Sequence, residues 1–424
     1  MRAGTFVKQH ATPLAAAILG VLTVAVGLYE DANGRLLGVP HPPFIGGYNP
    51  EATGWLALAI PCFAVAVALV NPLLAKPKAL AFAAAIFATT LVLRIVLFAA
   101  RLGGDFDRTL TVLPRGEGKN EYLPTMAAFE YGPRFVLDRF AELVPALPVH
   151  SAGHPPGLIL TMHYLGLTTG MRLAWFCLIV GALATPLTYV LAKQLFDERT
   201  ARIAGVLMVF APVVLHFGAV SPDAVYLTLG LLAAIPLASG RLVLGGIALA
   251  VVVMFAWSEL AVGAWAAILV LTRDGFRPAL KLGVVCGIAV LGVQALLALT
   301  TGWDPIGTFH ATHEVYDVGI ASRRPYWYWL FGSPTAFFLI LGPAISWLAF
   351  TRLQQRAPEA FAIFAVILVA TVAGFTKAET ERIWLFLVPF VCLAAAPLVR
   401  RPTLIAATLA VQAIVYELLF DTLW

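Results

Sequence analysis

The segment His154–Gly170, HPPGLILTMHYLGLTTG, decides how this chain is wound. It is apolar, but it is short and opens on two prolines, so it either crosses a bilayer or returns to the side on which it began. Apolar stretches of helix-spanning length, roughly 17–25 residues, lie on both sides of it. Three precede it, at about 12–29, 53–72 and 78–100. Ten follow, at about 172–192, 202–219, 222–238, 241–257, 258–272, 278–301, 326–350, 357–375, 383–398 and 403–420. These predict an all-α, polytopic membrane bundle of about thirteen helices in a single domain, 1–424. Arg2 and Lys8 give the first stretch the look of a signal peptide, yet no small-residue cleavage site follows, and it is read as a membrane helix.

Charge placement chooses between the two windings. If His154–Gly170 stays on its own side and the N-terminus is inside, the inner ends carry Arg2, Lys8, Lys76, Lys78, Lys193, Arg199, Arg202, Arg241, Arg273, Arg277, Lys281, Arg352, Arg356, Arg400 and Arg401, 15 of the 28 basic residues. Only Asp197, Glu198, Asp274 and Glu359 of the 23 acids are then inside. A crossing would leave nine of each sign inside. Lys and Arg in short loops favour the cytoplasmic side, so the first winding is preferred. The segment is then a re-entrant or interfacial helix, and two long polar insertions, 101–153 and 302–325, face outward.

Composition supports the same class. Of 424 residues 60% are hydrophobic and 12% charged, against about 25% charged in soluble domains. The net charge of +5 belongs to basic inner loops, and no nucleic-acid partner is read from it. Cys62, Cys177, Cys286 and Cys392 lie singly in apolar runs and read as packing residues.

The outer face holds the candidate chemistry. The first loop carries Asp105, Asp107, Glu117, Glu121, Glu130, Asp138 and Glu142 among Arg101, Arg108, Arg115, Lys119, Arg134 and Arg139. From Glu121 to Leu143 the spacing of Tyr122, Met126, Phe129, Phe135, Leu137 and Phe140 predicts short amphipathic helices on the membrane surface, interrupted by Pro124 and Pro133. His154-Pro155-Pro156-Gly157 opens a helix whose N–H groups suit an anion. Ser221-Pro222-Asp223 reads as a helix start with a carboxylate at the positive dipole end. Glu259 lies in a tight outer turn, and the interface is the cheaper place for it. Arg94, deep in the third stretch, is expected to snorkel or to pair with an outer acid.

The second loop holds His310, His313, Glu314, Asp317, Arg323 and Arg324, then Pro325-Tyr326-Trp327-Tyr328-Trp329. That aromatic run reads as an interfacial belt, or as rings and arginines for a sugar face and a phosphate. His310-x-x-His313-Glu314 lacks the spacing of a zinc protease, and no metal site is assigned. Lys377-Ala378-Glu379-Thr380-Glu381-Arg382 places cations on the outer side, where they suit a lipid phosphate.

The order of these features resembles the GT-C fold of polytopic glycosyltransferases, in the bacterial branch related to protein O-mannosyltransferases and lipid A aminoarabinose transferases. The resemblance spans about 80–400 and rests on Glu121-Tyr122-Leu123-Pro124, Gly153-His154-Pro155-Pro156-Gly157, Arg324-Pro325-Tyr326-Trp327-Tyr328-Trp329 and Glu381-Arg382-Ile383-Trp384. It looks most similar to uncharacterised bacterial integral membrane proteins of that branch. The resemblance implies a polyprenyl-phosphate-linked sugar donor and an extracytoplasmic acceptor, which is a glycan, lipid or protein. It implies transfer with inversion at the outer face of the bacterial cytoplasmic membrane. Glu121 best matches the family's base. Asn120-Glu121 stands where an Asp-Glu pair is common, so Asp105 and Asp107 remain rivals. His154, Tyr122, Asp223, Arg323, Arg324, Tyr326, Trp327, Lys377 and Arg382 are the matching substrate-binding positions. A divalent cation is optional, because basic side chains supply the same charge. Two helices precede the family's first and no large soluble C-terminal domain follows, which leaves acceptor recognition open. A secondary transporter or flippase is the alternative, although no inverted halves are visible.

Overall fold

A computed structural model describes residues 10–75, 78–111 and 117–422. Arg2, Lys8, Lys76 and Arg115, invoked above, lie outside the described residues. Among those residues the protein is helical apart from one short antiparallel pair, β1 (Gly47–Tyr48) with β2 (Phe420–Asp421).

Six helices are long and apolar enough to cross a membrane: α1 (Ala11–Ala32), α2 (Leu56–Ala75), α3 (Ala79–Leu102), α5 (Gly170–Ala192), α10 (Phe276–Thr301) and α16 (Pro402–Leu419). α4 is the short helix Gly157–Leu165. α12 (Tyr326–Leu341) and α13 (Pro343–Gln354) form a pair bent by 115° and make a seventh if counted as one span. Gly342 forms the corner at φ 121°, a conformation open to glycine, and Pro343 starts the next helix without needing an N–H. Four apolar helices are shorter: α7 (Asp223–Ala238), α8 (Leu242–Val253), α14 (Pro358–Ala373) and α15 (Leu385–Leu398). The remaining two expected stretches become α6 (Glu198–Phe210), interrupted at Pro212, and α9 (Leu260–Asp274). α11 (Pro305–Val318) lies in the second insertion, started by Asp304, whose carboxylate accepts from Ile306 and Gly307 N–H at 3.0 and 2.9 Å.

α6 is the hub, with every residue from Ala201 to Phe210 buried. The helix ends sort into two groups. At one end Arg202 reaches the Leu74 carbonyl (3.5 Å), and Thr12 N–H meets Gln354 (3.1 Å). At the other, Arg101 bonds the carbonyls of Asn49 (2.9 Å) and Glu417 (2.8 Å), Trp329 Nε1 bonds Leu37 O (2.9 Å), and both long insertions gather.

α4 is decisive for the winding. Its nine residues extend about 13 Å at 1.5 Å per residue, under half of a hydrocarbon core. Gly157 N–H bonds Met254 O (2.8 Å), and after α4 the chain returns to Gly170, packed against Asp107 at the far end of α3. Both ends of the segment therefore sit at the same end of the bundle.

The first insertion folds into short helices, as its spacing implies. Tyr122, Phe129, Val136, Phe140 and Val144 form a second core with Leu158 and Met162 of α4, Leu173 and Cys177 of α5, and Val225 of α7. The apolar faces of these short helices pack on α4 and α5. Tyr131 and Phe135 keep 74% and 42% of their surface exposed.

Candidate functional site

A turn at Glu117–Lys119 begins the site. Gly118 presses on the carbonyl of Thr111, where a Cβ would overlap it, and this anchors the turn. Asn120 Nδ2 donates to Glu117 Oε1 (3.1 Å), and Asn120 O accepts from His150 N–H (3.0 Å). His150 Nε2 is thereby held 3.5 Å from Glu117 Oε1 and 3.7 Å from Glu121 Oε1. Glu121 is 1% exposed. Burial alone would push the His150 imidazole down, but the Glu121 charge and the contact with Glu117 hold it above its ordinary value. Burial would raise Glu117, and the bonds from His150 and Asn120 hold it below the usual carboxylate range.

The second half comes from α7 and the turn between α14 and α15. Ser221 Oγ donates to Asp223 Oδ2 (2.8 Å), and Arg382 donates to the same oxygen (2.8 Å) and to Glu379 Oε2 (2.9 Å). Glu379 also accepts from Arg324, whose other nitrogen bonds Lys377 O (2.7 Å). Ala378 and Glu379 both adopt left-handed backbone, at φ 65° and 58°. Non-glycine residues hold this conformation at a cost of about 1–3 kcal/mol, and here it turns Glu379 between two arginines. Burial would raise Glu379, yet Arg382 and Arg324 hold it down at about 2. Burial opposes the Arg382 charge, and Asp223, Glu379 and Glu121 together raise its affinity for the proton above the ordinary value. Glu121 and Arg382 thus belong to one electrostatic cluster.

Aromatic and neutral groups close it. Tyr122 and Tyr226 hydroxyls share a hydrogen bond (2.8 Å), and the His154 ring lies 5.0 Å from that of Tyr226. Burial pushes His154 down to about 4, against the pull of Asp223, so its imidazole is neutral. Its ring nitrogens have no partner among the described residues, and neither does the half-buried Lys377 ammonium. Next door, Glu381 accepts from Ile45 N–H (2.6 Å), and burial pushes it up to about 7.

The structure therefore brings together Glu121, Tyr122, His154, Asp223, Arg324, Lys377 and Arg382. Asp105 is exposed, and Asp107, half-buried, accepts from Thr111 Oγ1 (3.0 Å) beside Gly170; neither joins the cluster. Arg323 and Trp327 are exposed, and exposed Tyr326 spends its hydroxyl on Val372 O (2.6 Å). His150 was not singled out from sequence, and Glu117 and Glu379 were seen only as loop charges. The four-residue spacing of His150 and His154 before Pro155 was the available signal. Arg94 neither snorkels nor pairs: it is 0% exposed with all three guanidinium nitrogens unpartnered, packed on Gly181 and Gly218. Glu259 is 0% exposed, set against Gly230 with neither oxygen bonded. The α8–α9 turn that bears it lies against Gly230 of α7, and Trp257 in that turn stacks on Trp303. His310, His313 and Glu314 ride on α11, where His313 contacts Asp317 (3.3 Å). Among the described residues no three His, Cys, Asp or Glu side chains converge as metal ligands. No family model, characterised protein or solved structure matches the chain.

Proposed function

We propose that the protein is a GT-C-type membrane glycosyltransferase that moves a sugar from a polyprenyl-phosphate donor to an acceptor hydroxyl at the outer face of the cell membrane, with inversion. The observation that carries this reading is the burial of Glu121 in one cluster with Arg382, Arg324 and Lys377, at the end of the bundle where both long insertions gather.

In the proposed reaction the acceptor oxygen forms a bond to the anomeric carbon as the bond from that carbon to the phosphate oxygen breaks. The acceptor proton passes to the Glu121 carboxylate. The departing polyprenyl phosphate keeps the bonding electron pair, and cations aimed at it stabilise the developing charge. Lys377 has no carboxylate to surrender, whereas Arg382 must exchange one of its two carboxylate partners for the phosphate. Neutral His154 offers a hydrogen bond to donor or acceptor. Glu379 and Asp223 position Arg382, and Glu117 with His150 positions Glu121. Tyr326 and Trp327, both exposed beside Arg324, suit the prenyl chain.

A transporter or flippase is the second reading, favoured by the unpartnered Arg94 inside the bundle. Transfer of label from polyprenyl-phosphate sugars separates the two. Glu121→Gln should lower transfer by about 10²–10⁴-fold, the range for loss of a general base. Transport without transfer, unchanged in Glu121→Gln, would favour the second reading.

A further inference from the structure

At the end opposite the cluster a cavity of about 600 Å³ opens between α2, α6 and α16, lined by Asn71, Arg199, Arg400, Arg401, Thr403 and Leu404 among others. Three cations face it and no carboxylate lines it. The nearest acids are already engaged. Asp197 accepts from the N–H groups of Arg199 (2.9 Å) and Thr200 (3.1 Å), and Glu198 from Arg202 (2.8 Å) and Tyr189 (2.6 Å). α16 begins here with Pro402 and has no side-chain cap, so its first amides and positive dipole end are open to an anion. The Thr403 hydroxyl is buried and unpartnered.

From the cavity an apolar stripe runs along α16. Leu404, Ala407, Val411 and Val415 follow at intervals of three, four and four residues, which is one helix face. Leu404, Val411 and Val415 are 54%, 61% and 47% exposed. A phosphate-sized set of cations continuous with an uncovered apolar stripe matches an amphiphile with an anionic head.

We propose that this cavity binds the phosphate of an anionic glycerophospholipid, with its acyl chains laid on the α16 stripe. The inference rests on the membrane character of the bundle and is independent of the transfer reading. The test is native mass spectrometry of the full chain in detergent, titrated with phosphatidylglycerol or phosphatidylcholine, with inorganic phosphate as competitor. One phosphatidylglycerol should be retained preferentially. Combined Arg199→Gln, Arg400→Gln and Arg401→Gln should weaken it about 100-fold, at roughly fivefold per arginine. All three side chains are exposed, so the fold is not at stake. Arg273→Gln with Arg277→Gln, at the same end but outside the cavity, should change nothing. Equal binding by the triple variant, or an equal loss in the control pair, overturns the proposal. Displacement by millimolar inorganic phosphate overturns the lipid assignment in favour of a free phosphate site.

Discussion

At the scale of single residues, the buried charges divide into those that are paired and those that are not, and the two kinds respond differently to substitution. Arg382 neutralises Asp223 and Glu379. Arg382→Met leaves Asp223 buried without a counter-charge while Glu379 keeps Arg324, and should destabilise the protein by about 3–5 kcal/mol, read as a fall in the midpoint of thermal unfolding in detergent. Glu259 has no partner to lose. Burial raises its carboxyl well above the usual range, with a smaller push from Asp223. A carboxyl raised on folding contributes stability that is present below its unfolded pKa, about 4.3, and is lost as pH rises towards the folded value. Glu259→Gln keeps the shape and removes the titration. The stability of the variant relative to wild type should therefore grow as pH is raised from about 5 to about 8, measured by unfolding at each pH. A constant difference across that range contradicts a protonated Glu259.

At the scale of elements, close approaches fix how the outer insertions sit. Gly157 carries the start of α4 against α8, and a Cβ there would overlap the Met254 carbonyl. Gly157→Ala should break the Gly157–Met254 hydrogen bond and cost roughly 1–3 kcal/mol, the range for overpacking, with His154 displaced from Tyr226. A Gly157→Ala protein as stable as wild type would mean that α4 is free to shift. The helices themselves were legible, because apolar runs between Arg, Lys, Gly and Pro mark them plainly. Their lengths were not. Pro212 and Gly342-Pro343 divide runs that look continuous by hydropathy. The second core was half legible: the spacing of Tyr122, Phe129 and Phe140 gave a helical face, but nothing local says that α4 and α5 cover it.

At the scale of the molecule, the two ends differ in charge and in chemistry. The asymmetry of Lys and Arg was readable from the chain alone, and the structure brings Arg199, Arg202, Arg400 and Arg401 to one end of the bundle. The candidate cluster was readable as separate pieces, since Glu121, Asp223 and Arg382 each stand beside a helix break. Their convergence depends on contacts across 159 residues, as between Arg382 and Asp223, which no local pattern encodes. His150 was missed because its spacing from His154 is a weak signal until Glu117 and Glu121 are placed around it. Arg139→Cys on the outer insertion should react with a membrane-impermeant maleimide on intact cells, and Arg273→Cys at the other end should not. The reverse pattern would invert the orientation. The most direct measurement is transfer of radiolabelled sugar from polyprenyl-phosphate donors by membranes holding wild type, Glu121→Gln, or Asp105→Asn with Asp107→Asn. Transfer by wild type and the double aspartate variant, lost in Glu121→Gln, is the expected result. Transfer retained in Glu121→Gln and lost in the aspartate variant would contradict the account and move the base to the start of the loop.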